Sequence, residues 1–247
     1  MVMHLVAYHE ALSGATPLSP IDAVPDETVT YREKDIQVTA LNQVVMAAVA
    51  GAYLTQARLN SPSLRALIPS YIAPAGTATG WGVPMRAMDL RSTPIGLTVE
   101  ENLNVEVETT GASSPYAAVA FSDGPVTPVT GKIVTVRATG STTLVADEWT
   151  NVPLEFDVDL PAGDYQIVGM RAESAGCWLA RLVLKGSAER PGVLGCRGIQ
   201  DPDFPMFRYG QPGVMGTFKH NVPPSVEFLS ASADTSEVVY LDLIKVA

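Results

Sequence analysis

The residues of this chain whose types could do chemistry are three histidines, two cysteines and a short run of acids. His4 and His9 stand five apart near the N-terminus, and His220 lies far downstream. A zinc centre needs three or four nitrogen, sulfur or oxygen donors at matched spacings. No cysteine or glutamate completes such a set around these histidines, so they read as structural or solvated. Glu155, Asp157 and Asp159 recur at every second position, which puts all three on one face of a strand. Paired carboxylates can cleave a glycosidic bond when the second acid stands at the right separation. Here Leu154, Phe156, Val158 and Leu160 fill the alternate positions, so the acids read more simply as the wet face of a half-buried strand. Asp201-Pro202-Asp203 offers oxygen ligands, but no Asp-x-Asp-x-Asp-Gly loop follows to wrap a calcium ion.

The sequence holds no Gly-x-Ser-x-Gly elbow, no phosphate-cradling Gly-x-x-x-x-Gly-Lys-Ser/Thr loop and no dinucleotide fingerprint after a strand. No catalytic, cofactor-binding or metal-ligating residue is therefore assigned, and the expectation is a protein that is not an enzyme and uses no cofactor. Cys177 precedes Trp178 at the start of an apolar run and reads as a buried thiol, with a disulfide to Cys196 as the alternative. The N-terminal residues lack a basic region and a signal-length apolar core, which reads as a chain made in a reducing cytosol.

Around these residues the chain falls into three zones. In the first, Leu5 to Tyr8 is a short apolar segment, and Val29 to Val38 reads as a strand. A helix is predicted over about 40–59, with Thr39 as N-cap and Leu41, Val45, Ala48, Ala52 and Leu59 near helical spacing. Asn60-Ser61-Pro62 would end it, because proline cannot continue the hydrogen-bond ladder. Val44 to Leu54 carries no charge but is too short to span about 30 Å of hydrocarbon, so no membrane span is expected. Its small residues, Ala47, Ala48, Ala50, Gly51 and Ala52, suit close packing on a sheet or a neighbouring subunit.

The second zone, 61–94, is a proline-punctuated arm carrying Tyr71, Ile72, Trp81, Met85 and Met88. It is too apolar for a free linker. The third zone, 95–247, reads as strands and turns. Leu97, Val99, Leu103, Val105 and Val107 share a face there. Further strands are predicted at 116–121, 132–138, 154–160, 165–171, 178–185, 225–229 and 238–246. Leu154 to Leu160 and the strand starting at Tyr165 read as a hairpin closed by Pro161-Ala162-Gly163, since proline fixes one turn dihedral and glycine accepts a positive φ. Strand spacing of this kind suggests a sandwich of jelly-roll size. No internal repeat of fixed period is present. The predicted organisation is thus an N-terminal strand, helix and arm over 1–94, followed by an antiparallel β-sandwich over 95–247.

The loop 198–224 interleaves Phe204, Met206, Phe207, Tyr209, Met215 and Phe218 with five prolines. Exposed aromatics on a loop stack sugars or fill a partner's pocket, and they can equally close over their own core. With 47% apolar and 17% charged residues, the composition points to subunit contacts. Tyr71, Ile72, Trp81 and Met85 in the arm, and Phe204, Phe207, Tyr209 and Met215 in the loop, are the candidate contact residues. A net charge of −10 with no basic run disfavours strong nucleic-acid binding.

An acidic, cofactor-free sandwich preceded by a proline-rich arm and a small-residue helix resembles viral coat proteins of the jelly-roll type, including those of phages. The residues that carry the resemblance are Leu160-Pro161-Ala162-Gly163-Asp164-Tyr165, the arm 61–94 and the terminal strand Val238-Val239-Tyr240-Leu241-Asp242-Leu243. The resemblance implies a non-catalytic subunit that assembles with itself and with other virion proteins into a shell, built in the host cytoplasm and resident in the virion. The sequence lacks the basic N-terminal tail that many coat proteins lay on the genome. The alternative is a carbohydrate-binding module or adhesin on the same sandwich, with Trp81, Trp149, Trp178, Phe207 and Tyr209 as material for a sugar platform.

Overall fold

A computed structural model of the chain describes residues 2–64, 71–72, 87–174, 176–193 and 208–246. They form an all-β protein with antiparallel sheets, divided into two compact units. An N-terminal unit comprises Val6–Pro125, and a C-terminal unit comprises Val126–Ala247 together with Met1–Leu5.

The strands of the N-terminal half are β1 (Met3–His9), β2 (Thr16–Pro20), β3 (Tyr31–Arg32), β4 (Asp35–Gln37), β5 (Gln43–Ala50), β6 (Leu54–Asn60), β7 (Tyr71–Ile72), β8 (Ala87–Asp89), β9 (Ile95–Gly96), β10 (Asn102–Thr109) and β11 (Tyr116–Ser122). One sheet has the order β1-β11-β5-β8, with β9 also on β5. The other has the order β3-β4-β10-β6-β7, with β2 also on β10. A single apolar core draws on both sheets: Val44, Val49, Val119 and Phe121 come from the first, and Leu59, Leu103, Val105 and Val107 from the second. The Tyr8 hydroxyl donates to the Leu103 carbonyl at 2.8 Å, so the buried phenol is satisfied across that core.

The C-terminal strands are β12 (Val134–Gly140), β13 (Trp149–Pro153), β14 (Glu155–Phe156), β15 (Asp164–Glu173), β16 (Cys177–Val183), β17 (Gly192–Val193), β18 (Gly216–Lys219), β19 (Ser225–Ser230) and β20 (Glu237–Lys245). They make a sheet β14-β12-β20-β15-β18 and a sheet β13-β19-β16-β17. The two lie against each other: a Cβ placed on Gly140 of the first would collide with Val152 of the second.

Three expectations are corrected. No helix occurs among the described residues, and 40–59 forms β5, a turn and β6. Seven of the eight β5 residues are buried, so β5, paired with β11 and β8, faces water on neither side. A strand buried on both faces shows no alternation, and its uninterrupted apolar run mimics a helix. Tyr53, at φ 58°, then takes the turn into β6.

The second correction concerns the boundary, which falls after Pro125 rather than after residue 94. β10 and β11 pair with β6 and β5, so the strands at 102–122 complete the N-terminal unit.

The third concerns the predicted hairpin. Gly163, at φ 151°, does carry the reversal, and the Tyr165 hydroxyl donates to the Pro161 carbonyl at 2.7 Å across it. The strands on either side nevertheless pair elsewhere, β14 with β12 and β15 with β20 and β18. Leu154 is buried and Phe156 half-buried, but Val158 is 54% exposed, so the alternation ends after Phe156.

Candidate assembly surface

Among the described residues, the candidate Tyr209 is the large hydrophobic side chain most open to water, at 60% exposure. Its backbone is left-handed (φ 55°), and Gly210 follows at φ 80°. Gly210 is required: a Cβ there would run into the Val129 carbonyl. The Gly210 amide donates to the Val168 carbonyl at 2.8 Å. Met215, by contrast, is buried, its amide donating to Ile167 at 2.8 Å, so it belongs to its own unit's packing. Tyr71 and Ile72 form β7, opposite Arg58 and Ala57 of β6. Trp81, Met85, Phe204 and Phe207 lie outside the described residues, as do most of the arm and residues 198–207 of the loop. At the ends of the arm, Leu64 is buried in the N-terminal core, and Met88 and Leu90 pack against it.

Asp242, fully buried in β20, holds the backbone under Tyr209. Its Oδ2 accepts from Arg208 Nε at 2.9 Å and from the Tyr209 amide at 2.8 Å. Its Oδ1 accepts from Thr135 Oγ1 at 2.5 Å and from Arg208 Nη2 at 3.3 Å. The Arg208 guanidinium also lies 4.8 Å from the Tyr209 ring centroid. A buried carboxylate met by this many donors fixes both the guanidinium and the peptide that follows it. Sequence reasoning passed over both residues, because an Asp inside a terminal apolar strand and an Arg beside an aromatic loop give no spacing signal.

A second feature is an open groove of about 410 Å³ in the C-terminal unit. Leu184, Phe218 and Pro224 are buried residues of its lining, while Lys185 and Lys219 are exposed at it. Asp164 is the acidic group there. The Phe218 ring stacks on Tyr165 at 5.7 Å and on Phe156 at 6.1 Å, which anchors the edge strand β18 to the interior.

Arg181, Arg190 and the three histidines take part in structural contacts. Arg181, 1% exposed, donates to Glu227 at 2.6 Å and to the Leu5 carbonyl at 3.0 Å, and lies 4.0 Å from the Trp149 ring centroid. Arg190 Nε stands 3.6 Å from the same Glu227. His4 Nδ1 accepts from the Arg190 amide at 3.1 Å, and His9 Nδ1 lies 2.8 Å from the Pro115 carbonyl. His220 Nδ1 accepts from the Gly163 amide at 3.3 Å. Among the described residues no three His, Cys, Asp or Glu side chains converge in a way that could hold a metal ion. Cys177 is buried and disulfide-bonded, which corrects the free-thiol reading; Cys196, the other cysteine of the chain, lies outside the described residues.

Glu237 is 1% exposed, its carboxyl group shut away from water. Burial pushes its pKa above the ordinary carboxylate range, and the charge of Asp234 adds to that. The amides of Glu237 and Thr142 oppose the shift without reversing it. No helix among the described residues is long and apolar enough to cross a membrane.

No protein-family model matches this chain, and no curated protein matches it. Among solved structures, the chain is similar to the major capsid protein P2 from Bacteriophage PM2, over 98% of each chain, at 9% identity and a TM-score of 0.24. A TM-score this low carries no argument about fold or function.

Proposed function

We propose that the chain is a structural, non-catalytic subunit that assembles with copies of itself into the shell of a virus or phage, and that each unit is a jelly roll. The observation that carries this reading is strand order. Eight strands of the N-terminal unit can be numbered in chain order as β1, β2, β5, β6, β7, β8, β10 and β11. Its sheets then run first-eighth-third-sixth and second-seventh-fourth-fifth. In the C-terminal unit the eight are β12, β13, β15, β16, β17, β18, β19 and β20, and the sheets have the same two orders. That interleaving is what two nested Greek keys produce, and it supports the jelly-roll reading. β3, β4, β9 and β14 are additions to the plan.

Fold alone does not settle function, since jelly rolls also serve lectins and other binding proteins. Two such units in one acidic chain, with Tyr209 held open to water by a buried ion pair, favour a building block over a single-site binder. The shell would be the virion's, assembled in the host cytoplasm, with other virion proteins as further partners. Sedimentation velocity of the purified chain tests the reading. The expected result is a discrete oligomer or particle at micromolar concentration. A monomer of 26.2 kDa throughout would overturn it and promote the carbohydrate-binding alternative.

A further inference from the structure

We propose that the groove beside β18 is one half of the contact between copies, and that it receives the acidic segment Glu155–Asp159 of a second copy. This rests on the self-assembly reading above. The chain carries ten more acidic than basic residues and only five lysines. Two of those five, Lys185 and Lys219, line this groove, and a third, Lys245, precedes Val246, which also lines it. A local positive rim on an acidic protein is complementary to that protein's own surface. Below the rim, buried Leu184, Phe218 and Pro224 offer an apolar floor. β18 is also the last strand of its sheet among the described residues, paired only with β15, so an extended segment can lie along it.

The segment that fits carries charges outside and an apolar residue between them. Val158 is 54% exposed and stands between exposed Asp157 and Asp159, where the chain has left β14 and its last backbone bond to β12 is the Asp157 amide donating to the Arg137 carbonyl at 3.1 Å. Asp157 already holds Arg137 at 2.5 Å, which stiffens the segment and leaves Asp159 and Glu155 as the charges open to a neighbour. An exposed valine between two carboxylates matches an apolar floor between two lysines. Lysines on a sheet edge have another established use, which is to repel strand pairing. The two roles predict opposite results when the charges are changed.

The test is a charge swap read by sedimentation of the full chain. Lys185→Glu with Lys219→Glu is expected to weaken association at least about tenfold, and so is Glu155→Lys with Asp159→Lys. Mixing the two variants should restore assembly that neither shows alone, and Val158→Asp should weaken it without altering the fold seen by circular dichroism. If the wild type assembles and both charge variants assemble equally well, or assemble more readily, the lysines are edge protection and this contact is refuted while the shell reading stands. If the variants associate weakly but their mixture does not recover, the groove has a different occupant and the proposal also fails. A monomeric wild type would fail the shell reading itself.

Discussion

Replacing Asp242 by Ala tests whether a buried ion pair presents Tyr209 to solvent. The carboxylate is fully buried and receives four hydrogen bonds, from Thr135, twice from Arg208, and from the Tyr209 amide. Alanine removes the carboxylate that pairs with the Arg208 guanidinium, whose side chain is only 6% exposed. Breaking one partner of a buried pair costs about 3–5 kcal/mol, because the remaining charge stays out of water. For a unit of this size that is a fall in Tm of roughly 10–20 °C. Asn is the informative intermediate. With its NH2 group turned toward Thr135, the hydroxyl can rotate to accept, and the oxygen still serves Arg208 Nε and the Tyr209 amide. The contact to Nη2 and the charge are what is lost, so about 2 kcal/mol is expected. Calorimetry gives the stability, and limited trypsin digestion gives the local consequence: Arg208 should become a cleavage site in the Ala variant. Asp242→Leu combined with Arg208→Met should recover most of the loss, as apolar replacement of buried pairs does. A single variant costing under about 1 kcal/mol, or a double variant no better than the single, would refute the reasoning.

Glu237→Gln should abolish one pH dependence of stability: a carboxyl whose folded pKa is raised stabilises fully below the unfolded value and loses that contribution as pH rises through the raised one. Urea denaturation should therefore find the variant more stable than the parent at pH 8, with the difference closing toward pH 4; a difference independent of pH would contradict this. Phe156→Ala should cost about 2 kcal/mol, less than for a fully buried phenylalanine, because the ring is half-buried and stacks on Phe218 from one side. A loss above about 4 kcal/mol in chemical denaturation would place that ring at the centre of the core instead.

The strands were legible wherever one face is wet or the apolar run is bounded by turn residues. Leu103, Val105 and Val107 alternate as expected and are buried together. The predicted strands at 116–121, 165–171, 178–185, 225–229 and 238–246 fall on β11, β15, β16, β19 and β20. β5 was misread because seven buried residues in a row erase the period of two, and alanine favours the helical reading. Val44, Val45 and Val49 are the β-branched residues that argue for a strand there. Partner choice was not legible at all: the turn at Pro161-Ala162-Gly163 is local, while the pairing of β14 with β12 depends on residues far apart in the chain. The groove was hidden for the same reason, since Leu184, Phe218 and Pro224 meet only after folding.

If the apolar pattern cannot fix register in strands buried on both faces, something else must. Four polar cross-strand pairs stand where they would do so. Arg181 is directly opposite Glu227 across β16 and β19, Arg58 opposite Glu106 across β6 and β10, and Thr135 opposite Asp242 across β12 and β20. Each of these opposed pairs is also hydrogen-bonded. Arg171 is opposite Tyr240, with its guanidinium 5.3 Å from the ring centroid. Sliding a strand by one residue would turn each of these side chains to the other face, and would part the buried carboxylates of Glu227 and Asp242 from their cross-strand donors. An apolar pair slipped by one residue loses some packing, whereas a buried Arg181 without Glu227 forfeits several kcal/mol. Net stabilisation from such pairs is small in the correct register, but the penalty in every wrong one is large. In β16, with six of seven residues buried, Arg181 and Glu227 therefore supply the specificity that alternation supplies in β10.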